Sequence, residues 1–511
     1  MKVPLTIEDF LYRAENVYGD RTGVVDEPNP PGGGLGSLTW REFAELTRAQ
    51  AAKLDELGIG FGERVAMVSQ NSARLLTSFW GVAGHGRVFV PINFRLSHDE
   101  IAYIVAHSGA RMLLVDPSLA ETCAGIDVDH LVVMGTDTDD QIYLHGVEPM
   151  AHVPDEDATA TINYTSGTTA RPKGVQLTHR NVWLNAVTFG WHTGVNDWDN
   201  YLHTLPMFHC NGWGMPFALA GMGCKQVVLR EVRGPEILRR VAEHDITLMC
   251  GAPAVVAAVL DAARDWEGEI PGRGRVRMVV AGAPPPTQTI ARMQDELGWE
   301  FIQIYGLTET APLLTMNRHR REYEGMDSEA RARKLVRAGS PTLGIKVCVD
   351  AEGEILARGN HILEAYWEQP EATDEAIVDG WFHTGDGGIM DDEHYVTIND
   401  RKKDVIISGG ENVSSIEVED TLFSHPAVAE VAVIGVPHEK WGETVKALVV
   451  LAPGAEATER ELIDHTRQHL AHFKCPTSVE FRDELARTAT GKLQKFKLRA
   501  PYWEGREKMV N

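Results

Sequence analysis

Apolar strand-like segments and amphipathic helix-like segments alternate along this chain with short connections, and that alternation leaves few folds open. RVAMV (64–68), LLTSFWGVAG (75–84), VFVPI (88–92), SHDEIAYIVAHSG (97–109) and RMLLVD (111–116) read in turn as strand, helix, strand, helix and strand. Strands joined through a helix in this way form a parallel sheet with helices packed on it. The pattern returns in GPEILRRVAEHDI then TLMCGAP (234–253) and in IARMQDELG then EFIQIYG (290–306), with no internal repeat. In TWREFAELTRAQAAKLDELG (39–58) Thr39 and Glu42 make a capping box, Phe43, Leu46, Ala51, Leu54 and Leu57 form the buried stripe, and Gly58 stops the helix. EPNPPGGGLGS (27–37) reads as a surface loop between the strand TGVVD and this helix, taken as the first of the chain.

A chain of 511 residues exceeds one compact core, so at least two domains are expected. The texture changes after Asp400. VIISGGENV reads as strand and turn, SSIEVEDTLFSHP as a helix capped by Ser414 and Glu417, VAEVAVIGVP and TVKALVVLAP as strands, and TERELIDHTRQHL as a helix capped by Thr458 and Glu461. The expected division is a large α/β domain over 1–400 and a small α+β domain over 401–511, joined in the charged turn NDRKKDV. The charged helical segment 322–341 carries no assignable chemistry.

The formal charge of −24, from 49 basic and 73 acidic residues, repels nucleic-acid phosphates and anionic lipid surfaces, so neither partner is expected. No apolar run reaches the length of a membrane span, and the first twenty residues mix acids and bases where a signal peptide would be apolar. Six scattered cysteines without a Cys-x-x-Cys pair suit reduced thiols in the cytoplasm.

YTSGTTARPKGV (164–175) combines a glycine, several hydroxyls and one lysine, a set suited to cradling phosphate. It is not a Walker loop: Pro172 precedes Lys173, Gly174 follows, Val175 to Leu177 read as a strand, and a helix starts only after Thr178. Alone such a stretch is as well explained by an ordinary turn.

Its companions decide. PMFHCNGWG (206–214), VVAGAPP (279–285), IYGLTET (304–310), GWFHTGD (380–386), DRKKDVIISGGENVSSIEVE (400–419) and RTATGKLQKFKLR (487–499) follow in order. With them the chain resembles the adenylate-forming superfamily, and within it the AMP-forming acyl-CoA synthetases, over nearly its whole length. The resemblance implies a large N-terminal adenylating domain of mixed and parallel sheets with helices, and a small mobile α+β lid. It implies attack of a carboxylate on the α-phosphate of ATP, then transfer of the acyl group to CoA, with Mg2+ as cofactor.

Residue roles come with the resemblance. Thr165, Ser166, Gly167, Thr168, Thr169 and Lys173 would hold the β- and γ-phosphates, Thr308 the α-phosphate, and Glu309 the magnesium ion. Tyr305 would lie on the adenine, and Ala281, Gly282, Ala283 and Pro284 would wall it. Asp386, with Arg401 close by, would accept from the ribose hydroxyls, and Lys492 would bridge carboxylate and α-phosphate as the catalytic lysine. His209 and Trp213 face the acyl side in relatives, where Trp213 resembles the aromatic gate of fatty-acyl tunnels, Lys403 would stand at the hinge, and Ser408, Gly409 and Gly410 would line the pantetheine passage. His209 beside Cys210 lacks a second ligand pair at zinc spacing.

The implied substrate is a hydrophobic carboxylic acid, a medium- or long-chain fatty acid in first place, and homodimers are frequent in the resembling group. Two alternatives stay open: delivery of the acyl group to an amine or carrier thiol, and a non-catalytic adenylate sensor. Retention of Lys492, Glu309 and Asp386 speaks against the sensor.

Overall fold

Two large sheets form the body of the protein, and the ends of their parallel strands converge on the segments singled out above. The structure is a computed structural model that describes residues 1–165, 171–282, 285–401, 404–408, 411–438, 441–487 and 493–504. The first sheet has nine strands, with Thr22–Val25, Lys225–Val228, Asn200–His203, Leu248–Gly251, Arg277–Val280 and Glu300–Gly306 side by side and parallel. Antiparallel strands close its edges at Ser37–Thr39, Leu313–Asn317 and Ser340–Pro341. The second has seven strands; His130–Val133, Ala110–Val115, Arg64–Val68, Val88–Ile92 and Thr159–Thr165 run parallel, then Lys173–Thr178 and Ala365–Tyr366 run antiparallel.

The central strands are almost wholly buried, which is why Val88–Ile92 reads as a continuous apolar run. Between the sheets, edge-to-face aromatic contacts join Phe43 to Trp80, Trp80 to Phe217, Phe217 to Phe79 and Phe79 to Phe89, at centroid distances of 5.7, 5.1, 5.5 and 5.3 Å. Polar ties fix the sheets to each other. The Asn71 amide nitrogen lies 2.9 Å from the carbonyl oxygens of His203 and of Leu205. Arg230 donates two 2.7 Å bonds to Asp116, at the end of a strand of the second sheet.

A third, antiparallel sheet holds Ile345–Val349, Glu354–Gly359, Ile377–Val378, Trp381–Met390 and Val396–Arg401. The fourth holds Ile406–Ser408, Glu411–Val413, Val428–His438 and Gly442–Leu451, with Ser478–Phe481 added in parallel. The change of sheet thus falls between Arg401 and Ile406.

The capping box of Thr39 and Glu42 is present, and others start the helices His98–Ser108, His179–Thr193 and Glu459–His469. The first helix, however, is Glu8–Tyr18, which precedes the one taken as first. It buries only Phe10, Leu11 and Ala14, and its N-cap is Ile7 with no side-chain bond, so neither a long stripe nor a cap signals it. The loop 27–37 ends in a strand pairing with Thr22–Val25, and its Glu27 is held 2.6 Å from buried Arg240. Ser414 caps Ser415–Phe423, but the Glu417 carboxylate, instead of closing the box, pairs with Lys474 at 2.6 Å, a charged partner outcompeting a backbone amide. Within the charged segment 322–341, Ser328–Leu335 is helical, and Arg337 anchors it to Asp391 and Glu393. No described helix is long and apolar enough to cross a membrane.

Candidate functional site

The site stands where open α/β sheets place their ligands, beyond the carboxyl ends of parallel strands. Thr165 ends one such strand and lies opposite Lys173 on the returning strand. The turn between them, with Ser166, Gly167, Thr168 and Thr169, is outside the described residues. Lys173 points its ammonium over the ring of Tyr366, 4.9 Å from the centroid. The Tyr366 hydroxyl donates to Glu309 Oε1 at 3.0 Å. Burial and the Glu309 charge push the tyrosine well above its ordinary range, so it stays protonated and a donor. One tyrosine that the sequence did not single out therefore joins the lysine to the acid.

Glu309 lies in a tight turn after the strand Glu300–Gly306. Leu307 N donates to Thr310 Oγ1 at 2.9 Å, and Leu363 N to the Glu309 carbonyl at 2.6 Å. A Cβ on Gly306 would sit 1.5 Å from the Pro312 carbonyl oxygen, so only glycine lets the strand enter this turn. Thr308 is buried, and its carbonyl faces the Cys210 thiol at 3.8 Å. Burial raises that thiol far above its usual range, Glu309 adding to the effect, so Cys210 is a protonated core residue.

Tyr305 and Asp386 meet. The tyrosine hydroxyl donates to Asp386 Oδ2 at 2.9 Å, which sets the carboxylate beside the Tyr305 ring. Asp386 is held from behind: Glu354 accepts from Gly385 N at 2.9 Å and faces His383 Nδ1 at 3.2 Å. The backbone of Arg401 lies opposite Asp386 in the strand register. Ala281, buried, and Gly282, at φ +93°, follow the strand Arg277–Val280.

His209–Gly214 forms a tight turn in which Cys210, Asn211, Gly212 and Trp213 are all left-handed. His209 is half-buried at its start. Trp213 is 5% exposed and packs in an apolar cluster with Phe189, Leu205, Met215, Leu219 and Ile302.

Ser408 ends a strand of the fourth sheet, opposite Gly442 and Glu411. Lys492, Lys403, Gly409, Gly410, Ala283 and Pro284 lie outside the described residues. Among the described residues, no group of three His, Cys, Asp or Glu side chains could hold a metal. A single carboxylate at Glu309 fits a magnesium ion whose remaining ligands are phosphate oxygens and water.

Comparison with known proteins identifies the family of the chain. The AMP-binding enzyme family matches residues 11–367, and the AMP-binding enzyme C-terminal domain matches 417–492. The chain is 37% identical over 522 residues to 4-hydroxybutyrate–CoA ligase 2 of Metallosphaera sedula, covering 96% of this chain and 93% of that protein. It is 34% identical to a 2-methylpropanoate–CoA ligase of Humulus lupulus, over 97% of this chain and 95% of that one. Among solved structures, an anthranilate CoA ligase in complex with anthranoyl-AMP superposes with a TM-score of 0.87 at 26% identity, covering 98% of this chain and 99% of that one.

Proposed function

The chain belongs to the AMP-binding enzyme family and is an AMP-forming acid:CoA ligase, and from that premise we propose that its acid is a compact monocarboxylate. The observation that supports this reading is the burial of Trp213 in its apolar cluster; with Trp213 on the acyl side, as we propose, its indole would be the end wall. A medium- or long-chain fatty acid, the substrate expected from sequence, would need that indole to leave the cluster, at the cost of its buried apolar area. The acids named for the relatives above, 4-hydroxybutyrate, 2-methylpropanoate and anthranilate, are all small.

The division of labour we propose takes its roles from the family resemblance. Thr165, Ser166, Gly167, Thr168, Thr169 and Lys173 hold the β- and γ-phosphates, Thr308 the α-phosphate, and Asp386 the ribose. Ala281, Gly282, Ala283 and Pro284 wall the adenine, whose face Tyr305 covers. Glu309, oriented by Tyr366, holds magnesium. When bound, magnesium neutralises phosphate charge. Trp213 and His209 meet the acid. Lys492 reaches in from the C-terminal unit to bridge the acid carboxylate and the α-phosphate during adenylation. That unit, residues 401–511, then turns about Lys403 so that Ser408, Gly409 and Gly410 admit the CoA thiol.

The test incubates the purified protein with ATP, magnesium and a panel of acids from acetate to palmitate together with benzoate and anthranilate. Pyrophosphate and AMP are measured with and without CoA. Acyl-CoA formed from the short or aryl acids is the expected result. A preference for palmitate would refute the compact acid, and pyrophosphate without acyl-CoA would move the acceptor to an amine or a carrier thiol.

A further inference from the structure

Tryptophan in a left-handed backbone is costly, because Cβ crowds the following carbonyl; glycine and asparagine bear this conformation far better. Here Trp213 has φ +62° and is the fourth left-handed residue in succession. Such a run persists only where its surroundings over-determine it. The surroundings are three buried asparagines.

Asn211, inside the run, belongs to a closed ring of side-chain hydrogen bonds. Its amide nitrogen donates to Thr161 Oγ1 at 2.9 Å, Thr161 donates to Asn163 Oδ1 at 3.0 Å, and Asn163 Nδ2 donates back to Asn211 Oδ1 at 3.0 Å. Thr161 and Asn163 are alternate residues of the strand Thr159–Thr165, so they share a face. That strand leads directly into the phosphate loop. At the far end of the run, Asn185 Nδ2 donates to the Trp213 carbonyl at 3.1 Å, and Asn185 Oδ1 accepts from Leu313 N at 3.1 Å. All four side chains are buried. A buried polar group is stabilising only when satisfied, and this ring satisfies each member with another.

We infer that Asn211, through Thr161 and Asn163, and Asn185 are positioning residues that fix the backbone of Trp213 and thereby set which acids the site admits. This rests on the reading above that Trp213 faces the acid. The asparagines act through the turn, holding the indole as a fixed wall where a looser backbone would let it yield to longer chains.

The experiment measures acid-dependent exchange of pyrophosphate into ATP, over straight-chain acids from acetate to octanoate, for wild type, Asn211→Gly, Asn163→Ala and the double variant. Glycine accepts the left-handed backbone, so Asn211→Gly deletes the amide without adding strain. Asn163→Ala lies outside the turn and tests the same bond from its other end. Thermal melts confirm that each variant is folded. Either substitution is expected to raise the KM of the preferred acid about tenfold, to lower its kcat/KM advantage over octanoate about tenfold, and to leave the ATP KM within about threefold; the double variant should match the singles. Unchanged acid selectivity in folded variants, or acid and ATP KM values rising by one common factor, would overturn the inference. A wild-type protein that exchanges with no acid would overturn the ligase reading, and this inference with it.

Discussion

Acidification should unload the native state of this protein through three histidines that the site does not use. His179, His203 and His361 are buried, and burial pushes each imidazole down to about 4. His203 Nε2 lies 2.9 Å from Gln226 Oε1, and His361 Nε2 has no hydrogen-bond partner among the described residues. A free imidazole titrates near about 6.5, so between pH 6.5 and 4 the unfolded chain carries protons that the folded chain excludes. Stability therefore rises with pH across this window. It is fully present above the unfolded value and is lost as pH falls through the folded one. The difference is worth about 2 kcal/mol for each histidine at pH 5 and about 3 kcal/mol for each once protonated in both states.

The assay is urea unfolding at a series of pH values from neutral to mildly acid, with His203→Gln and His361→Gln beside the wild type. At pH 5.5 unfolding should take up about 0.9 proton per buried histidine, read from the slope of unfolding free energy against pH. Each substitution should flatten that slope by the same amount, whatever it does to stability at neutral pH. Variants with the wild-type slope would show that these imidazoles charge as readily inside the protein as outside, and the reasoning from burial would be wrong.

Three further outcomes follow from the geometry. Tyr366→Phe keeps the ring over Lys173 but removes the hydroxyl from Glu309, so the magnesium concentration for half-maximal ATP binding, read by calorimetry without acid, should rise about tenfold. Arg240, 1% exposed, pairs with Glu27 and Glu236; Arg240→Ala leaves Glu236 with Arg239 and Glu27 with the Arg230 amide, and should cost about 2 to 3 kcal/mol in unfolding free energy. Of the six cysteines only Cys348 is other than buried, so thiol titration of the native protein should show at most one accessible group and six after denaturation.

Much of the fold was legible because its signals are local. Thr178 and the strand before it were readable within a dozen residues, as were Thr39 with Glu42 and Thr458 with Glu461, since a cap or an apolar run needs no knowledge of the rest of the chain. Where the local signal is weak the reading failed, as at Glu8–Tyr18, whose stability comes from packing Phe10 against Phe217 and Trp183 rather than from its own stripe or cap. Tertiary contact supplied what sequence pattern lacked.

The site divides in the same way, and the division explains why the reaction was readable while the acid was not. Residues proposed to meet ATP sit in short motifs, because backbone and side chain must approach one phosphate or one ribose together: Thr308 and Glu309 are adjacent, and Thr165 and Lys173 lie within nine residues of sequence. Residues that hold those groups in place are distant in sequence. Tyr366 lies 57 positions from Glu309, Asn163 lies 48 from Asn211, and Asn185 lies 28 from Trp213. Each reads by itself as an ordinary polar or aromatic residue, and only the crossing of the strand Thr159–Thr165 with the turn His209–Gly214 makes a ring of Thr161, Asn163 and Asn211. The chemistry common to ATP users is thus written in contiguous stretches. The shape that chooses an acid is written in pairs that only the fold brings together, so substituting Asn211 should change acid selectivity while every motif that marks the reaction stays intact.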